Sequence, residues 1–223
     1  MHALVNISLA DRSGSQPVIQ YINSSSNGVQ AQQCSALILA FPPTLSALYT
    51  ANLDVSAHEQ TVFGPVGLSA YFSSAIRLIT PPYFFEAESV APSVPVDADG
   101  EPVAFLQLFP SSNIATAWSW GPYRGNLTAD QAKTLLKETL SKVNKDPTNA
   151  SAVPQPVTDA DILGFQQNEY FPHFDSQQLA GGWYEKFNAL QGQQSTYYAS
   201  GLNGFETVEF ALRAGIDIID SYF

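Results

Sequence analysis

Eight consecutive residues, Cys34-Ser35-Ala36-Leu37-Ile38-Leu39-Ala40-Phe41, are apolar or small, and Pro42-Pro43 ends the run. The stretch has strand length but no alternation, which predicts burial on both faces, as in a parallel sheet covered by helices. That places the chain in a layered α/β class. The preceding segments read as a small β unit. Val5-Asn6-Ile7-Ser8-Leu9 alternates, Asp11-Arg12-Ser13-Gly14-Ser15 has turn chemistry, Val18 to Ile22 is a second strand, and Asn23 to Gly28 turns the chain again.

Composition narrows the function. Only 13% of the 223 residues are charged, against 45% hydrophobic and 12% aromatic, which excludes disorder and coiled coil. Nine Lys and Arg face twenty Asp and Glu, for a formal charge of −11. A nucleic-acid backbone or an anionic membrane surface would be repelled, so neither is an expected partner. No apolar run approaches the ~18 residues of a membrane span. The single cysteine, Cys34, permits no intramolecular disulfide and no Cys-based zinc site, and His2, His58 and His173 are too scattered to suggest a metal. The chain starts directly on a strand with no basic, long apolar leader, so no signal peptide is expected here. Four Asn-x-Ser/Thr triplets, at Asn6, Asn23, Asn126 and Asn149, lean toward a secreted or vesicular full-length product.

Further along, a helix-like stretch is expected around Leu68 to Leu78, after the Gly64-Pro65-Val66-Gly67 break. Asp97-Ala98-Asp99-Gly100 reads as a hairpin between Val94-Pro95-Val96 and Val103 to Phe109, with Thr116 to Trp120 as another strand of the same sheet. Thr128-Ala129-Asp130-Gln131 is a capping box that opens a helix to about Asn144, with Ala132, Leu135, Leu136, Leu140 and Val143 on one face. Near the C-terminus a short strand, Ser195 to Ala199, leads through the small-residue loop Ser200-Gly201-Leu202-Asn203-Gly204 into a helix from about Phe205 to Ser221. Its polar residues Glu206, Glu209, Arg213, Asp217 and Asp220 form one narrow stripe, so the helix is expected to be largely buried.

Strand, glycine-containing loop and helix together are the arrangement that turns a helix N-terminus toward an anionic or electron-rich ligand. An ordinary βα corner, in which Gly201 and Gly204 merely allow the turn, has the same pattern. Taken in order, Ala40-Phe41-Pro42-Pro43 after a buried strand, Gly181-Gly182-Trp183-Tyr184, Leu190-Gln191-Gly192-Gln193, and Tyr197 to Glu209 before a terminal helix resemble the C-terminal half of FAD-dependent oxidoreductases of the flavin amine oxidase superfamily. The likeness is strongest to the fungal branch with the cyclopiazonate dehydrogenase-like enzymes.

The resemblance implies an α/β (α+β) fold: a partial FAD/NAD(P)-binding domain with an inserted β-rich substrate domain. Residues 1–48 and 171–223 would belong to the first and 49–170 to the second. It also implies FAD as cofactor and a small-molecule substrate. Val5 would approach the adenine, and Ala40, Pro42 and Pro43 would pass near the dinucleotide. From the terminal loop, Gly201, Leu202, Asn203, Gly204 and Phe205 would contact the flavin, the last four through backbone N–H groups at its pyrimidine edge. Tyr198 would stand beside the flavin face, with Tyr197 directed to the opposite side of the strand. For both tyrosines a packed core aromatic with a bonded hydroxyl is the competing reading.

Two departures bear on this. Many relatives place a lysine at the flavin N5, yet no lysine precedes Lys133 here, and Gly-x-Gly-x-x-Gly is absent, so the half that holds the pyrophosphate is expected to be missing. The expected function is therefore hydride transfer from a small molecule to flavin by an enzyme of which this chain is an incomplete portion, with the missing N-terminal half as a possible partner. Two alternatives remain at this level. One is a secreted acidic β-rich carbohydrate-binding module, suggested by the high aromatic and low charged content; a glycosidase carboxylate pair, Asp159/Asp161 or Glu169/Asp175, with Trp118, Trp120 and Trp183 as sugar platforms, is not favoured by spacing over solvated acids and core aromatics. The other is a catalytically dead truncated product.

Overall fold

A computed structural model of the chain describes residues 5–23, 28–80, 85–86, 100–204 and 207–223. In order, these form β1 (Val5–Asp11), β2 (Val18–Asn23), β3 (Val29–Gln33), β4 (Leu37–Leu39), α1 (Leu45–Thr50), α2 (Ala57–Phe63) and β5 (Gly67–Arg77). Next come β6 (Phe85–Glu86), β7 (Pro102–Gln107), β8 (Ile114–Tyr123), α3 (Ala129–Ser141) and β9 (Ile162–His173). The chain ends with α4 (Ser176–Ala180), α5 (Trp183–Asn188), β10 (Thr196–Tyr198) and α6 (Val208–Tyr222). The architecture is mixed α/β. It divides into one unit of residues 1–68 and 171–223 and a second of residues 69–170. The first border therefore falls at Leu68 and not near residue 48, because α1 and α2 pack with the first unit.

In the first unit β1, β2 and β3 form an antiparallel meander, with a register shift between Ile7 and Leu9. β4 pairs in parallel with β10, about 160 residues later in the chain, so the parallel sheet inferred from the apolar run is present. Burial on both faces is not: Leu37 is buried, but Ile38 is 44% exposed. The core joins Leu37, Leu48, Val62, Phe63, Trp183, Phe187, Leu190, Tyr198 and Leu202. Trp183 anchors it, stacked between Phe174 and Phe187 at centroid distances of 4.2 and 5.0 Å, with its indole N–H donating to the Val62 carbonyl at 2.8 Å. So buried a ring cannot serve as a sugar platform.

The second unit is a five-stranded sheet in the order β6-β7-β8-β5-β9, with α3 on one face. The Leu68 to Leu78 stretch is strand β5 and not a helix. Phe72, Ser74 and Ile76 are buried in strict alternation, a period of two that the small residues between them hid. α3 forms as its capping box demands: Thr128 accepts from the Gln131 N–H, and the Gln131 side chain accepts from the Thr128 N–H. Ala132, Leu136 and Leu140 are its buried stripe, whereas Val143 lies past its end and is exposed. The Asp97 to Asp99 part of the expected hairpin lies outside the described residues.

α6 starts at Val208, later than expected, with Thr207 as N-cap; Phe205 and Glu206 lie outside the described residues. Only Ala214 and Ile218 are buried on it. Val208, Leu212, Ile216 and Ile219, at helical spacing, form a second apolar stripe that is 80%, 63%, 56% and 48% exposed. Of the expected polar stripe, Glu209 and Arg213 pair across one turn at 2.7 Å and Glu206 lies outside the described residues, but the burial expected of the helix does not follow within this chain.

Candidate functional site

Because β4 and β10 run parallel, the segments that follow them leave the sheet from the same end. Ala40 to Pro43 follows β4 and Ala199 to Asn203 follows β10, and the Ala199 N–H donates to the Leu39 carbonyl at 3.0 Å. The crevice beyond the carboxyl ends of parallel strands is where open α/β sheets bind ligands. Two motifs far apart in sequence, Ala40-Phe41-Pro42-Pro43 and Ser200 to Asn203, are thus brought to one edge. Ala40 is exposed, Pro42 half-buried and Pro43 buried. Val5, in contrast, opens β1 in the meander and is not a strand of this sheet.

After β10 the chain makes a single turn of 3₁₀ helix, Gly201–Asn203, closed on itself. Ser200 Oγ accepts from the Leu202 N–H at 3.3 Å, the Ser200 carbonyl from the Asn203 N–H at 2.9 Å, and the Gly201 carbonyl from the Gly204 N–H at 3.3 Å. Asn203 reaches back, its Oδ1 accepting from the Ser200 N–H at 2.8 Å. The backbone amides of Leu202, Asn203 and Gly204 are therefore engaged inside the turn, not directed at a ligand. Leu202 is a core residue, and neither Gly201 nor Gly204 has a positive φ. Left-handed glycines occur instead at Gly182 and Gly192, which start α5 and end its following turn. Phe205 lies outside the described residues.

Tyr198 is a core residue, 1% exposed, enclosed by Phe63 and Phe187. A ring so enclosed has no free face for a flavin, which corrects the expectation for it. Its hydroxyl donates to Glu59 Oε1. Glu59 also receives the Arg12 guanidinium, at 2.6 and 3.1 Å, and the Ser56 N–H at 2.7 Å. Arg12 continues to Asp54, through Nε to Oδ1 at 2.8 Å and through Nη2 to the backbone carbonyl at 2.9 Å. The Arg12 and Glu59 side chains are fully or almost fully buried, and each is saturated with partners.

Burial pushes the Glu59 carboxyl up, but the hydrogen bonds from Arg12, Tyr198 and Ser56 outweigh it and hold the group below the usual carboxylate range. Burial, then the bond to Glu59, drives the Tyr198 phenol far above its ordinary value. Both groups therefore keep their resting charge states through the neutral range.

Tyr197 points to the other side of β10, as alternation requires, and packs against Tyr222 and Phe223 at 4.9 and 5.0 Å between ring centroids. Among the described residues no group of three or more His, Cys, Asp or Glu could hold a metal, and no helix is long and apolar enough to cross a membrane. Nothing in the sequence alone assigns a role to Arg12, Glu59 or Gln191. The local signals are the Ser56-Ala57-His58-Glu59 capping box, which starts α2 and places Glu59 in its first turn, and for Gln191 its place in the Leu190-Gln191-Gly192-Gln193 motif.

No protein-family model matches the chain. It is 25% identical over 182 residues to the FAD-dependent oxidoreductase dpasF of Apiospora sacchari, covering 79% of this chain and 36% of that protein. It is 23% identical over 196 residues to the FAD-dependent oxidoreductase oblC of Cochliobolus heterostrophus, covering 84% and 38%. Among solved structures it superposes on a CLA-producing fatty acid isomerase from P. acnes with a TM-score of 0.78 at 17% identity, over 98% of this chain and 47% of that one. A putrescine oxidase variant gives 0.55 at 14% identity, over 97% and 48%. Cyclohexylamine oxidase from Brevibacterium oxydans gives 0.52 at 12% identity, over 96% and 47%. The mixed α/β fold of this chain is thus similar to about half of each of these proteins. Homology to FAD-dependent oxidoreductases is weak but extends along most of the chain, and it does not favour a carbohydrate-binding module. The chain spans under two fifths of the length of these curated relatives, at 36% and 38%.

Proposed function

We propose that this chain is the C-terminal portion of an FAD-dependent oxidoreductase in which a small molecule gives up hydride, with the first unit holding one edge of the cofactor. The observation that carries the reading is the parallel pairing of β4 with β10, which gathers Ala40 to Pro43 and Ser200 to Asn203 at one sheet end. Ala40, Ala199, Ser200 and Gly201 are small enough there for a flat ligand to approach the backbone closely. The fit concerns one edge only, since the glycine-rich turn that grips a pyrophosphate is not in this sequence. Bound there, FAD supplies the hydride acceptor. The chain's own residues shape and orient: Pro42 and Pro43 stiffen one side, and the self-closed Ser200 turn presents a rigid, neutral surface on the other. Tyr198 acts from below, as a fixed support.

A nucleotide-binding segment is the expected complement. The outer edge of β10 is already closed, because Gln191 and Gly192 bond to the backbone of Tyr198 and Thr196. A further strand can therefore join this sheet at β4, where Ile38 is half exposed, and the exposed α6 stripe offers an apolar face for the same segment. The reading is tested on the transcript and the protein together. An in-frame Gly-x-Gly-x-x-Gly upstream of the Met1 codon is expected. A stop codon directly upstream, combined with no uptake of FAD by the chain, would overturn it.

A further inference from the structure

Tyr198 is fixed at every polar atom it has. Its N–H donates to Gln191 Oε1 at 2.9 Å, its carbonyl accepts from Gln191 Nε2 at 3.1 Å, and its phenol donates to Glu59. Strand β10 itself is only three residues long and has one partner strand, so ladder bonds alone hold it weakly. The Gln191 carboxamide takes the place of a second neighbour on the outer edge, and Glu59 pins the side chain from α2. Thr196, at the other end of the strand, also lies within 3.5 Å of the Arg12 guanidinium.

Stability alone does not account for such a cluster. Apolar residues of similar volume in place of a buried ion pair are often neutral or stabilising, whereas a fully bonded polar network selects a single geometry. The geometry selected here has one nearby beneficiary. Two residues after Tyr198, Ser200 begins a turn whose hydrogen bonds are all internal, so what places the turn is the strand end from which it grows together with the packing of Leu202 in the core.

We propose that Gln191 and Glu59 are positioning residues: acting on Tyr198, they fix the end of β10 and thereby the Ser200 to Asn203 turn. That the turn faces a flavin rests on the proposed function; that it is held in place by these two side chains does not.

Amide hydrogen exchange on the whole chain, read peptide by peptide, separates positioning from general stabilisation. In Gln191→Ala the amides of Leu202 and Asn203 are expected to exchange about tenfold faster while those of α2 change little, since one local opening is made easier. Tyr198→Phe, which removes only the hydroxyl, is expected to give about threefold at the same amides. Leu48→Ala, a core truncation in α1, serves as the control in which all of these amides speed up together. The proposal is overturned if Gln191→Ala and Tyr198→Phe leave the turn protected, or if they loosen the turn and α2 in the same proportion as Leu48→Ala. FAD titration of the same proteins is scored separately. Failure of the wild-type chain and of its longer product to bind FAD counts against the functional reading, while the exchange pattern alone decides the positioning.

Discussion

The phenol of Tyr198 and the carboxylate of Glu59, 139 residues apart in sequence, are hydrogen-bonded inside an apolar core. Arg12 completes the cluster from the end of the first strand, so three segments that share no backbone ladder meet at one ionic group. The same relationship that removes Tyr198 from the role of a flavin-facing aromatic makes it the support under the turn that follows.

Breaking the cluster on one side should be far worse than removing it whole. Glu59→Ala leaves the Arg12 guanidinium buried with only Asp54 as a charged partner, a loss of about 3–5 kcal/mol. The double substitution Arg12→Met with Glu59→Leu is expected to lose less than Glu59→Ala alone, because no fully buried charge is left stranded; Asp54, with 35% of its side chain exposed, is left to solvent. Tyr198→Phe should cost about 1 kcal/mol. Urea unfolding followed by the fluorescence of buried Trp183 reads all three. A double variant as unstable as the single would mean that packing, and not charge, dominates the site.

Stability should fall in acid for an identifiable reason. The folded Glu59 carboxyl titrates below its unfolded value of about 4.3, so the stability it contributes is present above that pH and is lost as pH falls through the folded value. Tyr198 has the opposite sign: its contribution is complete below about pH 10, the unfolded value, and is lost only as pH rises toward its elevated folded value. A plateau between the two limits is expected in urea midpoints. The acid limb should flatten in the Arg12→Met, Glu59→Leu double variant, and an unchanged limb would assign it to other carboxylates.

α6 should respond in opposite ways on its two faces. Leu212→Glu and Ile216→Glu, on the exposed stripe, should alter the stability of this chain by no more than about 0.5 kcal/mol each. Ile218→Ala, on the buried face, should cost about 2–4 kcal/mol. Thermal unfolding checks both. A large loss from the stripe variants would show that this chain covers the stripe itself.

The glycine pair was legible only in part. Gly181-Gly182 stands out in the sequence, but only the structure shows that Gly182, at φ 72°, carries the left-handed residue that starts α5. Gly182→Ala should cost roughly 1 kcal/mol, while Gly181→Ala, at φ −81°, avoids that penalty. Equal midpoints for the two variants would contradict this.

What could be read from sequence was whatever local pattern encodes. The alternation of Val5 to Leu9, the Thr128 capping box and the unbroken run before Pro42 each carry their signal within a few residues, and each element formed. β5 escaped because Ser69, Ser73 and Ser74 dilute its hydrophobic alternation. α6 misled because its composition records what a helix can bury, while its burial depends on what lies beside it. The Arg12, Glu59 and Tyr198 cluster is invisible in the sequence because its members are joined only by tertiary structure. The Tyr197 to Glu209 motif placed its turn correctly but not its amides, whose bonding inside the turn depends on the Ser200 and Asn203 side chains.

The central claim is that the edge formed by Ala40 to Pro43 and Ser200 to Asn203 belongs to a flavin site. The most direct measurement is the visible absorbance of the full translation product of the transcript that encodes this chain, purified under native conditions and supplied with FAD. The account predicts the yellow bands of oxidised flavin, with FAD released on denaturation at about one per chain. A colourless, folded product that takes up no FAD would contradict it.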